Sequence, residues 1–263
     1  MDSTGRTQVG RRGPLALALR SLLATAVLTV ALPASMAWAE PPPKLPGSAP
    51  AADTRWQPAL DYDTDGCYST PAIGPDGTLN PGLKNSGALN GNCRDASDLD
   101  NTNAYSRSKC NHDWCAYMYG SYFEKDQAVP GIDCCGHRHD LEHIVVWVNS
   151  ETVQYVSVSA HGKYNTYASS QVPFEGSHPK VVYHKDGLST HCFRIAGFTE
   201  VPENHYGVWQ YPTLVGWENF PPGIRDILTA ANFGSATLAL KDSNFANDLT
   251  KAKPSGIPFD PNA

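Results

Sequence analysis

The stretch from Ala116 to Trp147 reads AYMYGSYFEKDQAVPGIDCCGHRHDLEHIVVW. Its two ends, Ala116 to Phe123 and His143 to Val148, are short runs of aromatic and β-branched residues, and the polar segment between them holds Pro130, Gly131 and Gly136. Such runs predict strands, because side chains branched at Cβ fit a pleated surface. Working outward, Val153 to Ala160 (VQYVSVSA), Lys180 to Tyr183 and Cys192 to Ala196 have the same character. Helical spacing comes only late, at Ile224, Ile227, Leu228 and Ala231 behind Pro221-Pro222, and again over 244–252. Strands in the middle and helices at one end predict a mainly β or α+β sandwich, not a βαβ alternation.

The chain has 263 residues, with Gly 22 and Pro 21, which favours turns over long helices. Lys+Arg 20 against Asp+Glu 26 gives a net charge of -6, and no basic cluster lies in the body of the chain, so no nucleic acid is expected as a partner. Arg6, Arg11 and Arg12 precede an apolar run that ends before Ala37-Trp38-Ala39, the small-x-small pattern of a signal-peptidase site. Residues 1–39 are read as a signal peptide cut after Ala39, which predicts a secreted, extracellular protein. The uninterrupted apolar part, Ser21 to Leu32, is too short to cross a bilayer about 30 Å thick, so no integral span is expected. Arg11-Arg12 suits twin-arginine export and Pro14 does not, which leaves the route open. Residues 40–56 read as a disordered Pro-rich linker, 57–253 as the folded domain and 254–263 as a tail.

All seven cysteines follow the predicted cleavage site, where oxidation is the default. Cys67 and Cys93 enclose a Gly/Pro/Asn-rich segment and are expected to bridge. Cys110, Cys115, Cys134, Cys135 and Cys192 have no pairing fixed by spacing, and zinc held by the first four is a competing reading.

Between Gly136 and Glu142 the chain reads GHRHDLE. If a strand starts near Asp140, Asp140 and Glu142 project from one face, and His137 joins them only if Cys135-Gly136 turns. With Asp126 from the preceding loop they would form an oxygen-dominated pocket suited to Mg²⁺ or Ca²⁺. Solvated loop charges are the competing reading. A third is a metal hydrolase with His139 as base, although neither G-x-S-x-G nor H-E-x-x-H is present.

The same residues carry a resemblance. The stretch from Ala116 to Trp147 resembles the signature region of the necrosis- and ethylene-inducing peptide-like proteins, also called the necrosis-inducing Phytophthora protein family, whose hallmark heptapeptide is GHRHDWE. Gly136, His137, Arg138, His139, Asp140 and Glu142 match it. The likeness continues through Ser159-Ala160-His161-Gly162, Thr190-His191, Gly216-Trp217 and the stretch from Phe233, and back to Cys67 and Cys93. The resemblance implies a central β-sandwich flanked by helices, like actinoporins and fungal lectins, and no enzyme. It implies a secreted cytolysin and virulence factor that binds plant plasma-membrane glycosylinositol phosphorylceramide, a sphingolipid, and permeabilises membranes with a divalent cation. The implied cation ligands are Asp126, His137, Asp140 and Glu142. His161, His191 and Trp217 are implied at the headgroup opening, with a purely hydrogen-bonding loop role equally open for the two histidines. The segment 116–142 also resembles one that some plants detect through an immune receptor.

Two departures bear on function. Leu141 stands where the family has tryptophan, which would loosen the strand start if that ring lay beneath the pocket. The extra cysteines allow a third bridge across the pocket rim, from Cys134 or Cys135 to Cys110, Cys115 or Cys192. A non-toxic secreted glycan- or glycolipid-binding module of the same fold is therefore the alternative to the cytolysin, with a metal hydrolase third.

Overall fold

The computed structural model describes residues 40–132 and 135–263, together with Gly10. In chain order the elements are helix α1 (Ala51–Arg55), strand β1 (Ala59–Tyr62), helix α2 (Ala96–Asp100), and strands β2 (Asn103–Asn111), β3 (Trp114–Gln127), β4 (Gly136–Asn149), β5 (Thr152–Ala160), β6 (Lys163–Ala168), β7 (Phe174–Glu175), β8 (His178–Lys185), β9 (His191–Ile195) and β10 (Thr213–Gly216), followed by helices α3 (Ile224–Ala230) and α4 (Asp242–Ala252). The predicted signal peptide lies outside the described residues.

Two sheets form the body. One runs β10-β2-β3-β4-β5-β6; the other runs β1-β8-β7, with β9 also paired to β8. All pairings are antiparallel except β1 with β8 and β10 with β2. The five strands predicted from sequence are found, and two of them are far longer than their apolar runs. β3 and β4 pair from Trp114 opposite Asn149 to Gln127 opposite Gly136. The polar residues EKDQ and GHRHD thus belong to a long hairpin, and Asp126 is a strand residue, not a loop residue.

The middle of the six-stranded sheet, along β3 and β4, is buried on both faces. Tyr117, Tyr119, Ile144 and Val146 meet Val181, Tyr183 and Phe193 of the other sheet. Met118, Val145 and Trp147 meet Leu228, Phe245 and Leu249 of the late helices. This double burial explains why β4 reads as an unbroken apolar run.

The proline-rich segment is ordered, against its reading as a disordered linker. Leu45 is fully buried, and the Asn103 side chain donates to the Leu45 carbonyl and accepts from its amide. Asp53 accepts from Ser106 and Ser108 of β2. Apolar anchors such as Leu45 and Trp56, worth about 2 kcal/mol each, with satisfied polar groups around them, offset a composition that cannot build a core alone. The tail is also core: Phe259 is buried with its ring edge-on to Trp147 at 5.2 Å.

Cys67 and Cys93 are bonded, as expected. Cys110 and Cys115 are bonded to each other as direct cross-strand neighbours of β2 and β3. That pairing removes both the four-cysteine zinc site and any rim bridge through Cys110 or Cys115. Cys135 and Cys192 are free, and Cys134 lies outside the described residues.

Candidate metal centre

Asp126 of β3 stands opposite His137 of β4, and Phe123 opposite Asp140. His137 and Asp140 are three residues apart, so strict alternation would send them to opposite faces. His139 breaks the alternation with a φ of 63°, a left-handed backbone uncommon for a residue with a Cβ. Its ring leaves on the far face, where Nδ1 is 2.7 Å from the Tyr122 hydroxyl and the ring meets Phe233 edge-on. The parity change expected at Cys135-Gly136 is made at His139 instead. Gly136 is required for a different reason: a Cβ there would run into the Asp126 carbonyl.

The His139 carbonyl accepts from His137 Nδ1 at 2.8 Å, which fixes the tautomer and leaves the Nε2 lone pair free, 4.0 Å from Asp126 Oδ2. Single ligand atoms of Asp126, His137 and Asp140 lie within 4.8 Å of one another. They line a cavity of about 260 Å³ that also receives Glu142.

Around these donors the remaining bonds are satisfied from both sheets. Asp126 Oδ1 accepts from the His191 amide at 2.8 Å and from its Nδ1 at 2.7 Å. Asp140 accepts from the Tyr183 hydroxyl and the Leu141 amide, both at 2.9 Å. Tyr183 is held in a stack between Phe123 and His191. Glu142 accepts from the Ser159 hydroxyl, whose oxygen accepts from the His143 amide at 2.6 Å.

The electrostatics of the cavity are unfavourable for the chain alone. Burial, reinforced by the Asp126 charge, pushes the Asp140 carboxyl up to about 7. Burial and then the Asp140 charge hold Glu142 well above the carboxylate range. Clustered, buried carboxylates with one imidazole beside them are a donor set that fits a hard divalent cation. On the other face of β4, burial lowers His143 to about 3, and its Nε2 accepts from the Ala239 amide.

The structure thus brings together Asp126, His137, Asp140 and Glu142. His191 is only 2% exposed and lines the cavity beside Asp126, whose carboxylate it orients. His161 lies at the mouth, exposed, in the two-residue β5–β6 turn, where it and Gly162 have the paired positive φ values of 51° and 79° of a type I′ hairpin. Trp217 does not line the opening: it is buried in the core against Phe220, beneath Arg107, because the six-stranded sheet and the late helices close over it. Arg138 donates to the Pro81 carbonyl, 3.1 Å away. Leu141 is buried opposite Tyr122 and does not loosen the strand, which starts five residues earlier at Gly136. Sequence reasoning missed Tyr183 and Ser159, which reach the site only through strand pairing and carry no local signal of it.

The profile of the necrosis inducing protein family matches residues 50–252. The chain is 32% identical over 209 residues to NLP effector protein 2 of Phytophthora capsici, covering 77% of this chain and 79% of that protein. It is 30% identical over 207 residues to the necrosis-inducing protein NPP1 of Phytophthora nicotianae, covering 76% and 81%. Among solved structures it is similar to NLPPya in complex with mannosamine, at a TM-score of 0.67 and 32% identity over 80% of this chain and 95% of that one. It is also similar to the non-toxic HaNLP3 protein, at a TM-score of 0.70 and 27% identity over 82% and 99%.

Proposed function

The chain belongs to the necrosis inducing protein family, and from that premise we propose that it is a secreted, non-enzymatic protein that binds plant plasma-membrane glycosylinositol phosphorylceramide in the presence of Mg²⁺ or Ca²⁺ and permeabilises the membrane. The observation that carries the reading is the meeting of Asp126, His137 and Asp140 at one cavity, with Glu142 beside them. A hard divalent cation held by these residues supplies open coordination positions that sugar hydroxyls and a phosphate can fill. The chain's own part is to hold the donors in place. His191 fixes Asp126, Tyr183 fixes Asp140 and Ser159 fixes Glu142, so the carboxylates cannot swing to water. The neighbour NLPPya carries mannosamine, an amino sugar, which agrees with a sugar-reading site. A hydrolase is disfavoured because His139, the base it would use, is engaged with Tyr122 on the far face. Among the described residues no helix is long and apolar enough to cross a membrane, so the late helices supply no spanning helix to the reading.

Dye release from vesicles containing the plant sphingolipid tests the proposal. Release with Mg²⁺ or Ca²⁺ that stops with EDTA and with Asp140→Ala is the expected result; release unaffected by both would overturn it. The alternative, a non-toxic binder of the same glycolipid, is favoured by the likeness to non-toxic HaNLP3. Its mark is protein that sediments with these vesicles without releasing dye.

A further inference from the structure

A second group of metal-binding side chains stands at the mouth of the cavity, built by different elements. His184 of β8 and Cys192 of β9 are direct cross-strand partners, and Cys192 Sγ is 3.5 Å from His184 Nε2. From the β5–β6 turn, His161 Nε2 comes to 3.1 Å of Asp186 Oδ2. Single ligand atoms of His161, Asp186 and Cys192 lie within 4.8 Å of one another. Asp186 is anchored by the turn after β8, its amide donating to the Thr190 carbonyl at 3.1 Å and its own carbonyl accepting from Ser189 at 2.9 Å.

Around a tetrahedral zinc with Zn–N near 2.0 Å and Zn–S near 2.3 Å, ligand atoms are separated by roughly 3.3–3.8 Å. The His161–Asp186 pair already stands near one edge of such a tetrahedron with Cys192 Sγ within 4.8 Å of both, and His184 lies beside the sulfur. The donors are two imidazoles, one carboxylate and one thiol, softer than those of the deeper cavity. Sulfur forms the buried floor, while His161 and Asp186 are open to solvent and give an ion its way in.

We infer that His161, Asp186 and Cys192 form a second metal site, with His184 beside the sulfur as the fourth donor once its ring turns toward the ion, selective for Zn²⁺ or another thiophilic divalent ion and separate from the carboxylate cavity. As the metal–sulfur bond forms, the Cys192 thiol loses its proton to solvent, and each imidazole donates a lone pair without losing one. The bound ion ties the β5–β6 turn to the β8–β9 turn. Because His161 and Thr190 both line the cavity mouth, the tie fixes the width of the opening. His161 is then a structural ligand, not a headgroup contact.

The test is titration of the reduced, full-length folded protein with Co²⁺ in excess Mg²⁺, followed by absorption and by competition with Zn²⁺. The expected result is a near-ultraviolet thiolate-to-cobalt charge-transfer band with the visible bands of a tetrahedral site. Both persist in Cys135→Ser and in Asp140→Asn and vanish in Cys192→Ser. His161→Ala, a change on an exposed turn that leaves folding intact, weakens Zn²⁺ binding about 100-fold or more. The site is overturned if folded wild-type protein shows no charge-transfer band, if the band survives Cys192→Ser, or if His161→Ala binds Zn²⁺ as tightly as wild type. Loss of the band in Asp140→Asn would assign the metal to the deeper cavity and also overturn it.

Discussion

Raising the pH in the presence of a chelator should destabilise this protein, and a divalent cation should restore what is lost. Asp140 is 4% exposed, and its carboxyl is pushed up to about 7 by burial first and the Asp126 charge second, against an ordinary value of 3.8. A raised carboxyl means that the folded state keeps a proton the unfolded state has already released. Its stabilising contribution is complete below the unfolded value and is lost as pH rises through about 7. The rise from 3.8 to about 7 corresponds to about 4 kcal/mol, and sharing between Asp140 and Glu142 makes about 2–4 kcal/mol the working range for one carboxyl. At this chain length that lowers Tm by roughly 5–15 °C between about pH 4 and pH 8. Glu142, Glu124 and Asp98 are raised by burial and act in the same direction, so the slope belongs to Asp140 only by difference. Calorimetric melts of wild type and Asp140→Asn, in EDTA and in Ca²⁺, supply that difference. The variant should have a shallower fall, and Ca²⁺ at about 100 times its Kd should return about 2.7 kcal/mol to wild type alone. Equal slopes in the two proteins, or a wild type whose Tm does not fall with pH in EDTA, would refute the reasoning.

Val146 is fully buried between the sheets, so Val146→Asp should cost about 4 kcal/mol or more and leave no cooperative melt; a normal melt would mean the strand register is wrong. Replacing Cys67 and Cys93 by serine opens a loop with a sequence separation of 26 and should cost about 3–4 kcal/mol, read as a lower urea midpoint. Gly136→Ala drives a Cβ against the Asp126 carbonyl and to 2.9 Å from Asn85 Oδ1, which should cost about 2 kcal/mol and weaken cation binding together, as melts and calorimetry would register. Tyr183→Phe removes one bond to Asp140 and should weaken Ca²⁺ binding about 10-fold while costing about 1 kcal/mol of stability.

The sequence made the sandwich legible wherever a strand is apolar on both faces. His143 to Val148 declares itself because the other sheet covers one side and the late helices the other. β2 was not foreseen, since its residues NAYSRSKCN include polar groups that are buried only because distant partners receive them, as Asp53 receives Ser106 and Ser108. Leu45 shows the same limit from the opposite side: a proline-rich segment docks through that side chain, two bonds to Asn103 and the bonds of Asp53 to Ser106 and Ser108. At the site, the heptapeptide named three of the four donors, with Asp126 outside it, but not their arrangement. That His139 turns its backbone and points away is a property of the β3–β4 hairpin, in which Tyr122 waits on the far face. Tyr183 comes from β8 of the other sheet and Ser159 from β5 by pairing with β4, and neither carries a local signal of the carboxylates it meets. Trp217 matched by position yet lies in the core, since a match along the chain carries no information about depth.

The central claim is that the cavity of Asp126, His137, Asp140 and Glu142 recognises a membrane glycolipid headgroup together with a cation. Calorimetric titration of the water-soluble headgroup of glycosylinositol phosphorylceramide into the protein, with Ca²⁺ and again with EDTA, tests it most directly. The account predicts saturable binding with Ca²⁺ that disappears with EDTA and in Asp140→Ala, while that variant keeps its cooperative melt. Equal headgroup affinity with and without the cation, or undiminished binding by Asp140→Ala, would contradict it.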